Sequence, residues 1–135
     1  MQSDNAGAAS PRKKILIIDD DEDVHVIIME VLKSRENYQY FGARDGKEGI
    51  EAAKKILPDL ILLDIMMPAI DGFGVQEYLR KDTATESIPI IFVTARTSLE
   101  DTIRAVGQGA SGYIEKPFDL KRLLRKIDSL MGQNK

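Results

Sequence analysis

The sequence predicts an α/β fold, a doubly wound five-stranded parallel sheet with five helices. Three observations carry that prediction. Short continuous apolar runs recur, namely Ile15-Leu16-Ile17-Ile18, Leu60-Ile61-Leu62-Leu63, Ile90-Ile91-Phe92-Val93 and the shorter Gly112-Tyr113-Ile114. Runs rich in β-branched residues and this short read as strands buried on both faces. Patterns at helical spacing separate them, so strand and helix alternate five times, and right-handed crossovers then lay the helices on the sheet. Each of these runs also ends in polar residues: Asp19-Asp20-Asp21, Asp64, Thr94, and Glu115-Lys116-Pro117. Five units are too few for an eight-stranded closed barrel, which leaves the open sheet.

The elements follow in order. Residues 1–13 read as a disordered leader of small and polar residues. Its end, Ser10-Pro11-Arg12-Lys13-Lys14, reads as a solvated tail entering the first strand and not as a nucleic-acid contact. The first helix spans about Glu22 to Arg35, with Val24, Ile27, Ile28, Val31 and Leu32 as its stripe. Tyr38 to Ala43 is a less apolar strand suited to a sheet edge. A helix carrying Ile50, Ala53 and Leu57 follows, and Pro58 stops it. The loop Pro68 to Gly72 leads to a helix carrying Val75, Tyr78 and Leu79, and Pro89 opens the fourth strand. The next helix, about Ser98 to Val106, has only Leu99, Ile103 and Val106 as a stripe. Gly107, Gly109 and Gly112 break it. The last helix, Asp119 to Met131, has the cleanest period, through Leu120, Leu123, Leu124, Ile127, Leu130 and Met131. One domain over 14–131 and a short tail, 132–135, result.

Composition narrows the function classes. A chain of 135 residues buries a real core without staples. Its net charge of -3 gives no general reason to expect nucleic acid. Without cysteine there are neither disulfides nor thiolate metal sites. No stretch approaches the roughly 20 apolar residues of a membrane helix, and the first ten residues lack a signal peptide's apolar segment. The expectation is a cytoplasmic protein with no membrane contact.

Chemistry concentrates at the strand ends, where ligands bind in such sheets. Three adjacent aspartates repel one another unless a cation offsets their charge. A hard divalent ion does so, and Mg2+ takes one or two carboxylates plus waters and phosphate. Asp21 stands where a helix amino terminus favours an acid, so it is assigned to capping, with Asp23 at the surface. Asp19 and Asp20, nearest the strand end, are left to the metal. Asp64 has apolar neighbours on both sides, and an unpaired carboxylate there is costly. Beside a metal it can act as a nucleophile toward phosphorus. Phosphoryl transfer rests mainly on positioning and charge neutralisation, and Thr94 and Lys116 supply donors for the phosphoryl oxygens.

The segments Ile17-Ile18-Asp19-Asp20-Asp21, Leu63-Asp64-Ile65-Met66-Met67-Pro68-Ala69-Ile70-Asp71-Gly72, Val93-Thr94-Ala95 and Glu115-Lys116-Pro117-Phe118 resemble the CheY-like receiver domain of two-component response regulators. The likeness covers Lys14 to Met131, nearly the whole chain. It implies the flavodoxin-like strand order 2-1-3-4-5. It implies that Asp64 accepts a phosphoryl group from a sensor histidine kinase or phosphotransfer protein, the domain catalysing only its own phosphorylation and dephosphorylation. Asp20 and Asp64 would bind Mg2+ (or Mn2+) directly, joined by the backbone carbonyl of Met66, with Asp19 acting through water. Thr94 and Lys116 would contact the phosphoryl oxygens, and a cis Lys116–Pro117 bond would aim the lysine inward. Tyr113 matches the switch aromatic that moves inward as Thr94 engages the phosphate; by itself it reads as a half-buried strand residue. Met66 and Arg96 hold flanking positions that influence phosphoryl lifetime in the family.

The resemblance further implies a downstream protein partner on the face of the fourth helix, fifth strand and fifth helix, and allows a homodimer on phosphorylation. The chain ending after the last helix suggests a receiver that signals through protein contacts, without direct nucleic-acid binding. His25, the sole histidine, reads as a surface residue of the first helix. Gly72-Phe73-Gly74 and Gly107-Gln108-Gly109 lack the context of nucleotide loops. Three other readings compete. A Mg2+-dependent aspartyl-phosphate hydrolase wants an acid at the position of Met66. A flavin carrier wants a Ser/Thr/Gly loop where three aspartates stand. A receiver that is never phosphorylated would not need an intact site.

Overall fold

The computed structural model describes residues 11–132. Its elements are β1 (Lys13–Ile18), α1 (Glu22–Lys33), β2 (Tyr38–Ala43), α2 (Gly46–Ile56), β3 (Leu60–Leu63), α3 (Gly72–Arg80), β4 (Ile90–Thr94), α4 (Leu99–Gly107), β5 (Gly112–Glu115) and α5 (Leu120–Met131). All strand pairs are parallel, in the order β2-β1-β3-β4-β5, which is the 2-1-3-4-5 order. The less apolar strand, Tyr38–Ala43, lies at an edge as its composition suggests. Most of the expected leader lies outside the described residues, as does the tail beyond Gly132; β1 begins within the leader's range, at Lys13.

Strand alternation divides the core in two. Ile15, Ile17, Leu60 and Leu62 face Val24, Ile28 and Leu32 of α1 and Leu123 and Ile127 of α5. Leu16, Ile18, Ile61 and Leu63 face Ile50 and Ala53 of α2, Val75 and Leu79 of α3 and Ala105 of α4. A continuous apolar run therefore feeds both layers, because successive residues of a strand point to opposite faces.

Each helix begins at a residue that can accept from its first-turn amides. Asp21, Asp45, Asp71, Ser98 and Asp119 all do so through their side chains. A three-way tie joins the far ends of α1, β2 and α5. Arg35 Nη2 donates to Asp128 Oδ2 at 2.8 Å, and the Tyr38 hydroxyl donates to Asp128 Oδ1 at 2.5 Å.

Four sequence expectations need correction. Helix α1 stops at Lys33, with Ser34 as its cap, short of Arg35. Leu57 is not in the α2 stripe: it is the left-handed cap at φ 50°, and it is exposed because Pro58 forces the chain out of the helix. Tyr78 lies outside the core, where the Lys54 ammonium stands 5.4 Å from its ring centroid. The apolar stripe of α4 faces outward: Leu99, Ile103 and Val106 are 75%, 62% and 58% exposed. Its buried positions are Asp101 and Ala105.

Candidate functional site

Register brings the polar strand ends together. Ile18 pairs with Leu63, so Asp19 and Asp64 leave adjacent strands at the same level, and Asp64 N–H donates to Ile18 O at 3.0 Å. Thr94 pairs with Glu115, and Lys116 N–H donates to Thr94 O at 2.9 Å. Lys116–Pro117 is cis. The Lys116 ammonium bridges the two inner carboxylates, at 2.8 Å from Asp19 Oδ2 and 3.2 Å from Asp64 Oδ2.

Asp19 and Asp64 are buried and Asp20 is exposed, yet ligand oxygens from all three lie within 4.8 Å of one another. The donor set is oxygen alone, which suits a hard divalent cation. One ammonium stands among three carboxylates, so negative charge is in excess and a divalent ion would offset it. Burial pushes the Asp19 carboxyl above its ordinary range, outweighing the bonds from Lys116 and the Asp21 amide that pull it down. For Lys116, burial pulls down, but the bonds to Asp19 and charge of Asp64 more than compensate, so its ammonium is held more firmly than usual. The two directions are compatible, since the lysine faces two carboxylates while these share one cation and repel each other.

The loop after Asp64 is shaped by its backbone. Met66 N–H donates to Asp64 Oδ1 at 3.3 Å, and the Met66 side chain is exposed. Ala69 takes a left-handed φ of 68°, a conformation uncommon outside glycine. At Gly72 a Cβ would stand 2.3 Å from Asp64 O and 2.7 Å from Ile65 Cα, so only glycine lets α3 start against the Asp64 backbone. Opposite, Thr94 is fully buried and its Oγ1 accepts from Arg96 N–H at 3.2 Å.

The outer wall of this end was only partly legible in the sequence. Arg96 is engaged by α4: its Nε and Nη2 reach Asp101 Oδ2 and Oδ1 at 3.0 and 2.9 Å. That bond holds the Asp101 carboxyl below its ordinary range. Tyr113 is half-buried, its ring tilted against Phe92 at 5.9 Å, and its hydroxyl donates to the Arg96 carbonyl. Asp21 caps α1 as expected, and Asp23 is exposed.

His25 contradicts the sequence reading. It is not a surface residue but 1% exposed, with Nε2 2.8 Å from Asp19 O and Nδ1 2.7 Å from the Tyr40 hydroxyl. Its spacing to Ile28 and Leu32, three and seven residues on, places it on the buried face of α1 and was the signal available.

A doubly wound sheet with three carboxylates, a hydroxyl and an ammonium at the carboxyl ends of its central strands defines a class of site, and known proteins agree with it. The family described as "Response regulator receiver domain" matches residues 15–128. The chain belongs to this family, the receiver domains of two-component response regulators. It is 38% identical over 118 residues to the "DNA-binding dual master transcriptional regulator RpaA" of Synechocystis, covering 87% of this chain and 48% of the relative. It is 38% identical over 117 residues to the "Response regulator PleD" of Caulobacter vibrioides, covering 87% of this chain and 26% of the relative. The chain thus spans about half or less of these relatives' length. Among solved structures, the chemotaxis protein CheY4 of Vibrio cholerae superposes with a TM-score of 0.82 at 28% identity, covering 88% of this chain and 98% of that one. The receiver domain of the Francisella response regulator 1452 gives 0.82 at 29% identity, covering 92% and 100%. Among the described residues no helix is long and apolar enough to cross a membrane.

Proposed function

We propose that this domain is a cytoplasmic phosphoacceptor: Asp64 takes a phosphoryl group from a histidine kinase or phosphotransfer protein in a Mg2+-dependent reaction and thereby switches a protein-binding face. The observation that carries the reading is the Lys116 ammonium held between Asp19 and Asp64, beside Asp20, at the end of the central strands. An Asp64 carboxylate oxygen attacks phosphorus, the P–N bond to the donor imidazole breaks, and that nitrogen keeps the electron pair. Asp20 and Asp64, with the Met66 carbonyl, would hold Mg2+ directly and Asp19 through water. When bound, that ion neutralises charge on the phosphoryl oxygens. Lys116 moves from the carboxylates to one phosphoryl oxygen, and the Thr94 hydroxyl donates to another. Tyr113 follows Thr94 inward, leaving the Arg96 carbonyl.

A protein partner on α4, β5 and α5 would read that change, and two phosphorylated copies could pair there. The exposed Leu99, Ile103 and Val106 favour this face. That relatives are described as DNA-binding or transcriptional regulators adds a role in controlling transcription as part of a longer protein, with nucleic acid bound outside this domain.

The test is incubation with Mg2+ and acetyl phosphate, read by intact-protein mass. A gain of one phosphoryl group that Asp64→Asn removes is the expected result. Wild-type protein that gains no mass under these conditions and binds no beryllofluoride contradicts the reading.

A further inference from the structure

We propose that His25 is a positioning residue for the acidic cluster, the inner member of a hydrogen-bonded chain that runs from Tyr40 to the Asp19–Asp20 peptide. The inference rests on the reading of Asp19, Asp20 and Asp64 as a divalent-cation site and adds residues that touch neither the ion nor the phosphoryl group.

The chain of contacts is continuous. Asp19 O can only accept, so His25 Nε2 carries the hydrogen of that 2.8 Å bond. In the neutral ring Nδ1 is then the acceptor, and the Tyr40 hydroxyl donates to it at 2.7 Å. The Arg44 guanidinium lies beside this hydroxyl, both flanking the α-carbon of Gly42, and is itself held by Glu22, through Nε and Nη2 at 3.0 Å each. Tyr40 and Gly42 lie on one face of β2, since alternate residues of a strand share a face, and Arg44 follows just after the strand ends at Ala43. A Cβ on Gly42 would stand 2.1 Å from the Tyr40 hydroxyl and 2.6 Å from Arg44 Nη1, so the glycine leaves the Tyr40 hydroxyl free to sit where it reaches His25.

What this chain fixes is the plane of one peptide. Asp19 N–H donates to Ala43 O at 3.1 Å, and Asp19 Oδ1 accepts from Asp21 N–H at 2.9 Å. With the carbonyl held by His25, rotation of the Asp19–Asp20 peptide is opposed. That peptide carries one carboxylate on each side, so its orientation sets where two of the three oxygen ligands converge. Groups that orient ligands in this way typically change metal affinity by about 10–100-fold when removed.

The experiment is Mg2+ titration by calorimetry on the wild type, His25→Leu, His25→Gln, Tyr40→Phe and Gly42→Ala, with thermal midpoints measured alongside. His25→Leu is expected to weaken Mg2+ binding about tenfold. His25→Gln restores most of it, because its amide N–H reaches the place of Nε2–H. Tyr40→Phe and Gly42→Ala, which leave His25 and Asp19 in place, are expected to lose affinity by a smaller, severalfold amount. Nitrogen-15 shifts of the wild type should show the His25 hydrogen on Nε2. Wild-type affinity in the folded Tyr40→Phe and Gly42→Ala proteins, or a hydrogen on Nδ1 alone, overturns the proposal while the cation site stands; these two variants decide the matter if His25→Leu does not fold. A wild type that binds no Mg2+ overturns the proposal and the cation site together.

Discussion

Helices α1 and α4 flank opposite sides of the same site and are built from similar apolar patterns, yet they are used in opposite ways. In α1, Val24, Ile28 and Leu32 are buried among β1, β3 and α5, and His25 goes inward with them to reach Asp19. In α4 the apolar stripe faces solvent, and the helix is fixed to the domain by Ala105 and by Asp101, which grips Arg96. The carboxylates thus rest on a packed helix, whereas Thr94 and Tyr113 adjoin a lightly packed one. Closely packed carboxylates beside a loosely held Thr94 and Tyr113 suit the proposed switch, because regions that move are drawn from the less stable parts of a fold.

Substitution on the packed side should have the largest effect. Ile28→Ala removes a fully packed side chain and is expected to cost about 2–5 kcal/mol in urea unfolding, as large-to-small core changes do. A loss comparable to that of an exposed site would erase the contrast.

The pH dependence sharpens the comparison by its sign. Burial raises the Asp19 carboxyl above its ordinary 3.8, so without divalent cation the folded protein binds this proton more tightly than the unfolded chain. Its ionisation opposes folding: Asp19's contribution becomes more favourable as pH falls through its folded value, and is complete below 3.8. Asp101 behaves in the opposite way. Arg96 depresses it, so its contribution is complete above 3.8 and is lost as pH falls through the lower folded value. In chelator at neutral pH, Asp19→Asn should therefore raise the urea midpoint, and an unchanged or lower midpoint would contradict the assigned direction. The smallest effect is expected on the open side: Ile103→Ala should change stability by no more than about 0.5 kcal/mol, measured by the same unfolding.

What the sequence made legible follows the same division. Strand runs, their polar ends and the capping aspartates are local patterns with one physical meaning each, and they brought Asp19, Asp20, Asp64, Thr94 and Lys116 to one sheet edge. Helical spacing is less informative, because it says that residues share a face and not which way that face turns. For α4 the buried side is the one with Asp101 and Ala105, where an ion pair with Arg96 replaces an apolar contact. For His25 the spacing pointed inward, but its burial depends on two partners, Asp19 O and Tyr40, neither of them on α1. Bonds of this kind belong to the tertiary fold and leave no pattern in the run of residues around them.

The central claim is that phosphorylation at Asp64 is read on the α4 side while the α1 side stays fixed. Amide hydrogen exchange with Mg2+, with and without beryllofluoride, tests it most directly. The expected result is altered exchange in α4, β5 and the loop after Thr94, with the core-facing amides of α1 unchanged. Altered exchange confined to α1, or none anywhere despite bound beryllofluoride, would contradict it.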